Sequence, residues 1–204
     1  MAKAQSLRIG VLASGAGTTL QAVIDAIEAG ELEAAIAVVI GNNSQSGALA
    51  RAAHHSLPSA HLSGATHADA RALDAAIRDS LRAHDANLVL LAGYMKKLGP
   101  ATLGAFKGRV INTHPALLPK HGGKGMYGSR VHAAVLESRA KVTGVSVHLV
   151  DRDYDTGRVL AQREVRVAPG DDVQSLTARV QAAEREFLVD VLRRIATGAL
   201  PLAG

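Results

Sequence analysis

The chain has 204 residues, 48% of them hydrophobic and 20% charged. This excludes an intrinsically disordered protein and leaves room for one large α/β domain or two small lobes. Its net charge of +5, mostly Arg without a Lys/Arg block, fits a small anionic ligand about as well as nucleic acid, and the lack of any Cys excludes disulfides, thiolate nucleophiles and Cys-based zinc sites, as expected of a cytoplasmic protein.

The N-terminal residues carry no apolar signal-peptide core and no apolar run reaches membrane-spanning length, so neither a leader nor a transmembrane helix is expected. Leu7 to Ala13 (LRIGVLA) reads as a buried strand, Ser14 to Thr19 as a turn, and Leu20 to Ala29 as a helix stopping at Gly30. Ala34 to Ile40 is a second strand, Ser46 to His55 a helix, and Ala60 to Leu62 a short third strand. Thr66 is a candidate N-cap for an amphipathic helix from His67 to His84. Asn87 to Ala92 and Arg109 to Asn112 are the fourth and fifth strands. The βαβα rhythm predicts a doubly wound, mostly parallel sheet.

The second half changes character. His121 to Gly128 (HGGKGMYG) is glycine-rich and reads as a mobile loop, and Ser129 to Ser138 as a helix with Ser129 as a possible cap. Val142 to Val150 and Arg158 to Val167 flank a polar turn, DRDYDTG, and predict an antiparallel hairpin at the sheet edge. Asp171 or Asp172 caps a last helix running to about Thr197. No repeat, low-complexity tract or linker interrupts the chain. The expectation is a single domain, 1–204, with two lobes, 1–105 and 106–204, sharing one sheet.

Three stretches carry chemistry. In Asn112-Thr113-His114-Pro115, Pro115 ends the ladder and pushes His114 into extended backbone. Asn112 and His114 then project to one side at the carboxyl end of a strand, where open α/β sheets bind ligands. An amide donor beside an imidazole suits a carbonyl passing through a tetrahedral oxyanion; the plainer reading is a strand end with a turn-forming Asn. Gly15-Ala16-Gly17 opens a helix after a strand and suits a phosphate monoester, or is a tight turn that binds nothing. Position 20 is Leu, so the dinucleotide fingerprint is not met. Asp151, Asp153 and Asp155 miss the calcium-loop pattern at Thr156 and Gln162. They form a solvated turn, or one of them approaches His114 and favours its charged form. No HExxH spacing occurs, and no metal site is expected.

Five segments together resemble a known family: ASGAGTTLQA (13–22), LAGYMKKL (91–98), NTHPALLP (112–119), TGVSVH (143–148) through Asp155-Thr156-Gly157, and TARVQAAE (177–184). They resemble the phosphoribosylglycinamide formyltransferases, folate-dependent enzymes of purine biosynthesis, nearly end to end. The resemblance implies a Rossmann-like formyltransferase fold in which 1–105 is the phosphate-binding lobe and 106–204 the folate-binding and catalytic lobe. It implies that Asn112 and protonated His114 stabilise an oxyanion while Asp155 keeps His114 charged and helps move a proton. Gly17, Thr18 and Thr19 would hold the substrate phosphate, with Thr19 where many relatives carry Asn. Gln181 and Glu184 would contact the ribose or glycinamide end. Met95, Lys96, Lys97 and Leu98 would line the pterin pocket with Asn112, Asp151 and Asp155, and Arg71 stands nearest to an arginine the family often has. The cosubstrate would be 10-formyltetrahydrofolate, without metal, nucleic acid or membrane, in a monomer or homodimer. Methionyl-tRNA formyltransferase and formyltetrahydrofolate hydrolase share the Asn-x-His-Pro core and are the nearest alternatives, and a non-catalytic nucleotide-binding module is a third.

Overall fold

The computed structural model describes residues 6–202. Seven strands form one sheet in the order β3-β2-β1-β4-β5-β6-β7: β1 (Leu7–Ala13), β2 (Ala34–Gly41), β3 (Ser59–His61), β4 (Leu88–Leu91), β5 (Val110–His114), β6 (Val142–Leu149) and β7 (Val159–Arg166). The first five pair in parallel, whereas β6 runs antiparallel to β5, and β7 to β6. This is the doubly wound, mostly parallel sheet with an antiparallel hairpin at its edge that the patterning predicts.

Helices cover both faces. On one side α1 (Thr18–Glu28), α2 (Gly47–His54), α5 (Ser129–Glu137) and α6 (Val173–Ala196) enclose a core around Ile9, Val11, Leu20, Leu90, Val145, Val180 and Leu188. On the other α3 (Ala70–Ala83) and α4 (Pro100–Ala105) pack Ile77, Leu81 and Phe106 onto Leu12, Ile40 and Val89. β1, β2 and β4 supply apolar residues to both layers, which is why they read as near-continuous hydrophobic runs. None of the described helices is long and apolar enough to cross a membrane.

Four local expectations are corrected. The third helix begins at Ala70, because the Asp69 side chain accepts from the Ala72 amide and caps it there. Thr66 instead closes a turn, its hydroxyl donating to the Ser63 carbonyl. Ser129 is the first residue of α5 and not its cap; Gly128 holds that place, with no side-chain bond. β5 runs on to His114, two residues past the predicted end, because β6 offers Ser146 opposite His114. The short helix α4 was not predicted. It starts at Pro100 and is capped from outside: the buried Asp74 carboxylate of α3 accepts from the Ala101 and Thr102 amides and from the Thr102 hydroxyl, at 2.7, 3.1 and 2.6 Å.

Candidate active site

A cleft of about 590 Å3 is lined by the loops following β1, β4 and β5, by the 123–128 segment and by α6. It lies where the strand order reverses between β1 and β4, the place that open α/β sheets offer to ligands. Its lining includes Gly15 to Thr19, Met95, Lys96, Asn112, Thr113, His114, Asp155, Gln181 and Glu184. Residues from both ends of the sequence therefore share one continuous space rather than two separate pockets.

Gly17 stands at the head of α1 with φ 72° and ψ 25°, a conformation that costs a side chain dearly, and no side chain caps the helix. The opening amides of α1 are left for the cleft. Helix α5 is likewise uncapped at Gly128, which also lines the cleft. By contrast α2, α3 and α6 are capped by Ser46, Asp69 and Asp172. The two uncapped helix starts, with Lys96, Lys124, Arg130 and Arg185 on the walls, make the cleft a place for anions.

Asn112 and His114 alternate along β5, both reaching the cleft, and Asp155 meets them from the turn between β6 and β7. His114 is almost fully buried, with Nδ1 3.5 Å from Asp155 Oδ2 and Nε2 2.8 Å from the carbonyl oxygen of His121. That carbonyl can only accept, so Nε2 carries a proton. Burial pushes the imidazole below its usual pKa; Asp155 and the His121 carbonyl push it up without restoring it. Burial thus works against the standing charge expected on His114, and the carboxylate works for it. Burial pushes the Asp155 carboxyl up, but His148, the Gly123 amide and His114 together hold it below its ordinary value. Asp155 and His121 both sit at positive φ, 57° and 55°, so the contacts of this trio are built on strained backbone.

The 121–128 segment takes part through its backbone. Besides the His121 carbonyl, the Gly123 amide donates to Asp155 Oδ2 at 2.9 Å. On the far wall Glu184 accepts from the hydroxyls of Thr113 at 2.8 Å and Thr19 at 3.3 Å. Burial pushes the Glu184 carboxyl up, and the two hydroxyls offset only part of this. Thr19 thus faces Glu184. Gln181, one turn earlier on α6, lines the same wall.

Not every expected residue arrives. Arg71 lies exposed in the first turn of α3 and lines neither the cleft nor the adjoining cavity, because Leu73, Asp74 and Ile77 take the inward face. Leu98 is buried in the apolar layer beneath α3 and α4 rather than in the cleft wall. Lys97 lines a second cavity of about 620 Å3 beyond Tyr94 and Lys96, together with Asn42, Ser63 and His67. Its ammonium lies 3.6 Å from Asp153 and 5.4 Å above the Tyr154 ring, tying the segment after β4 to the β6–β7 turn. Asp151 is exposed and holds that turn by accepting from the Asp153 amide and the Thr156 hydroxyl.

The sequence reading missed Thr113, Tyr94, Tyr127, His132, His148 and Tyr154. Met95, Tyr127 and Tyr154 are 51%, 45% and 47% exposed, and all three line the cleft, an apolar rim suited to a flat ring system. His132 is buried beside the cleft with its Nδ1 unpaired. Among the described residues no group of three or more His, Asp or Glu is placed to hold a metal ion.

Comparison with known proteins bears on this geometry. Residues 7–192 match the profile of the family described as formyl transferase. A Mycobacterium tuberculosis phosphoribosylglycinamide formyltransferase is 40% identical over 97% of this chain and 88% of its own length. A chloroplastic phosphoribosylglycinamide formyltransferase of Vigna unguiculata is 36% identical over 92% of this chain, which spans 60% of that protein. The crystal structure of a glycinamide ribonucleotide transformylase from Symbiobacterium toebii superimposes with a TM-score of 0.90 at 36% identity, covering 98% of this chain and 92% of that one.

Proposed function

The chain belongs to the formyl transferase family, and on that premise we propose that it transfers the formyl group of 10-formyltetrahydrofolate to the amine of 5-phosphoribosylglycinamide, a step of purine biosynthesis. The observation that carries this reading is the single cleft in which an uncapped, glycine-headed helix faces Asn112, His114 and Asp155. An anion site and an acyl-transfer constellation then serve one substrate molecule.

In this reading the opening amides of α1 at Gly17, Thr18 and Thr19 hold the phosphate dianion, with the helix dipole adding attraction. Gln181 and Glu184 meet the ribose or glycinamide end. The rim of Met95, Tyr127 and Tyr154, with Lys96, takes the ring system of the folate, and Lys97 and Asp151 act from behind by fixing the turn that carries Asp155. Each ligand draws on both the 1–105 and the 106–204 halves.

The Asn112 amide donates to the formyl oxygen as it becomes an oxyanion. The His114–Asp155 pair takes the proton released by the attacking amine and returns it to the leaving nitrogen of the folate. Burial favours the neutral ring, which can accept that proton, and Asp155 stabilises the imidazolium while it exists. The test is a formyl-transfer assay with phosphoribosylglycinamide, methionyl-tRNA and water as competing acceptors. Transfer to the phosphoribosyl amine is expected; formylation of the tRNA alone, or hydrolysis alone, overturns the reading.

A further inference from the structure

His148 stands directly opposite Asn112 in the β5–β6 ladder and is almost fully buried. Its Nδ1 lies 2.8 Å from the carbonyl oxygen of Leu149, and its Nε2 lies 3.1 Å from Asn112 Nδ2 and 3.5 Å from Asp155 Oδ1. A backbone carbonyl only accepts, so Nδ1 carries a hydrogen; Asp155 Oδ1 is too distant for a well-formed hydrogen bond, so Nε2 turns to the nearer Asn112 amide and presents it a lone pair. Of the two ends of the Asn112 amide, only the nitrogen can meet that lone pair.

This matters because an Asn amide is nearly symmetrical in shape and opposite in polarity at its two ends. The strand backbone places the side chain but does not choose which end faces the cleft. Turned by 180°, the amide would set its carbonyl oxygen against the His148 lone pair in a buried site, leaving both acceptors without a donor. It would also withdraw its N–H groups from the opposite direction.

We propose that His148 is a positioning residue for the formyl transfer: by accepting one hydrogen of the Asn112 amide it fixes the other toward the formyl oxygen. The inference rests on the function proposed above. It assigns His148 no contact with either substrate and no proton to move. It also separates His148 from His114, whose Nε2 proton is committed to the His121 carbonyl and whose open side faces Asp155.

The test is a double-mutant cycle read in kcat, KM and the pH profile, on enzyme whose wild-type transfer activity is established first. His148→Leu keeps volume and removes the acceptor. His148→Gln offers an amide oxygen that can accept from Asn112. His148→Leu should lower kcat roughly as far as Asn112→Ala does, on the order of a hundredfold for one oxyanion donor. KM for both substrates should stay within about twofold, and the shape of the pH profile should not move. His148→Gln should recover about tenfold of the loss. In the Asn112→Ala background, His148→Leu should cost nothing more. Additive losses in that cycle, or a shifted pH profile with coupling to Asp155→Asn instead, overturn the proposal. If His148→Leu does not fold, the cycle is run with His148→Gln, which should then lose its effect when Asn112 is absent. A wild type that forms no formylated phosphoribosylglycinamide sinks the functional reading itself, whereas an active wild type with an additive cycle sinks only this inference.

Discussion

Asp155 Oδ2 stands 3.5 Å from His114 Nδ1, close enough for charge to act and too far for a well-formed hydrogen bond. The carboxylate raises the affinity of the imidazole for a proton while burial lowers it, and burial prevails. Asp155→Asn removes the raising influence, so His114 should titrate lower still than in wild type, with activity falling around neutral pH. NMR titration of the ring in both proteins measures this. An unchanged or higher value in the variant would refute the coupling.

His114→Ala removes the proton carrier and leaves a cavity against Asp155. A positioned general acid–base group contributes roughly a hundredfold to ten-thousandfold, so kcat should fall by about a hundredfold or more if the proposed proton route holds. Near-normal turnover from a folded His114→Ala protein would show that the proton takes another route.

Two glycines separate substrate affinity from folding. A Cβ at Gly17 would lie 2.7 Å from the Ala48 Cα at a positive φ, so Gly17→Val damages the packing of α1 on α2 as well as the anion site. A Cβ at Gly15 meets nothing within 4 Å and points into open space on the cleft wall. Gly15→Val should raise the KM for phosphoribosylglycinamide at least about tenfold, a 1.4 kcal/mol effect, while leaving the thermal midpoint nearly unmoved. Calorimetry with each substrate reads the difference. A Gly15→Val protein that binds phosphoribosylglycinamide normally would place the phosphate elsewhere.

Much of this was legible in the chain and some was not. The alternation of Asn112 and His114 before Pro115 was visible because strand periodicity and the proline stop are local facts. The partner of Asn112 was not, since which residue of β6 faces it depends on cross-strand register, which composition does not encode. The 121–128 segment was recognisable as glycine-rich, yet its contribution is a carbonyl and an amide, to which side-chain identity gives no clue. Arg71 lines neither cavity because Leu73, Asp74 and Ile77 take the inward face of α3, which the sequence shows only once the sheet beneath it is placed. Helix α4 starts at Pro100, and its cap comes from Asp74, distant in sequence and so invisible to local patterning.

Asp74 offers a stability test away from the chemistry. Asp74→Ala strands the Ala101 and Thr102 amides and the Thr102 hydroxyl in a buried place. Charge-assisted bonds of this kind imply a loss of about 2–3 kcal/mol, or roughly 5–10 °C in Tm for a chain of this size. A loss below about 0.5 kcal/mol would mean that water replaces the carboxylate.

Glu184 should leave a signature in the pH dependence of folding. Its folded pKa is raised by burial, so it favours the protonated native state. That contribution is complete below the unfolded value, about 4.3, and is lost as pH rises through the folded value. His114 and Asp155, both lowered, act oppositely: their contributions are present at higher pH and lost as pH falls. Glu184→Gln should therefore gain thermal stability relative to wild type as pH increases above about 4.3. A difference in Tm that stays flat or shrinks across that range contradicts a buried, reluctant carboxylate. Affinity for phosphoribosylglycinamide should fall in the same variant.

Glu184 also dates the site within the life of the polypeptide. Its two hydroxyl partners, Thr19 and Thr113, are 165 and 71 residues away along the chain. Helix α6 also shares its core with β1 and α1, so the packing of the glycine-headed helix depends on it as the site does. Until α6 docks, the wall bearing Gln181 and Glu184 does not exist, and in the proposed reading neither does the hold on the ribose or glycinamide end. In the proposed reading, binding of phosphoribosylglycinamide would therefore report the docking of α6 and not chemistry alone.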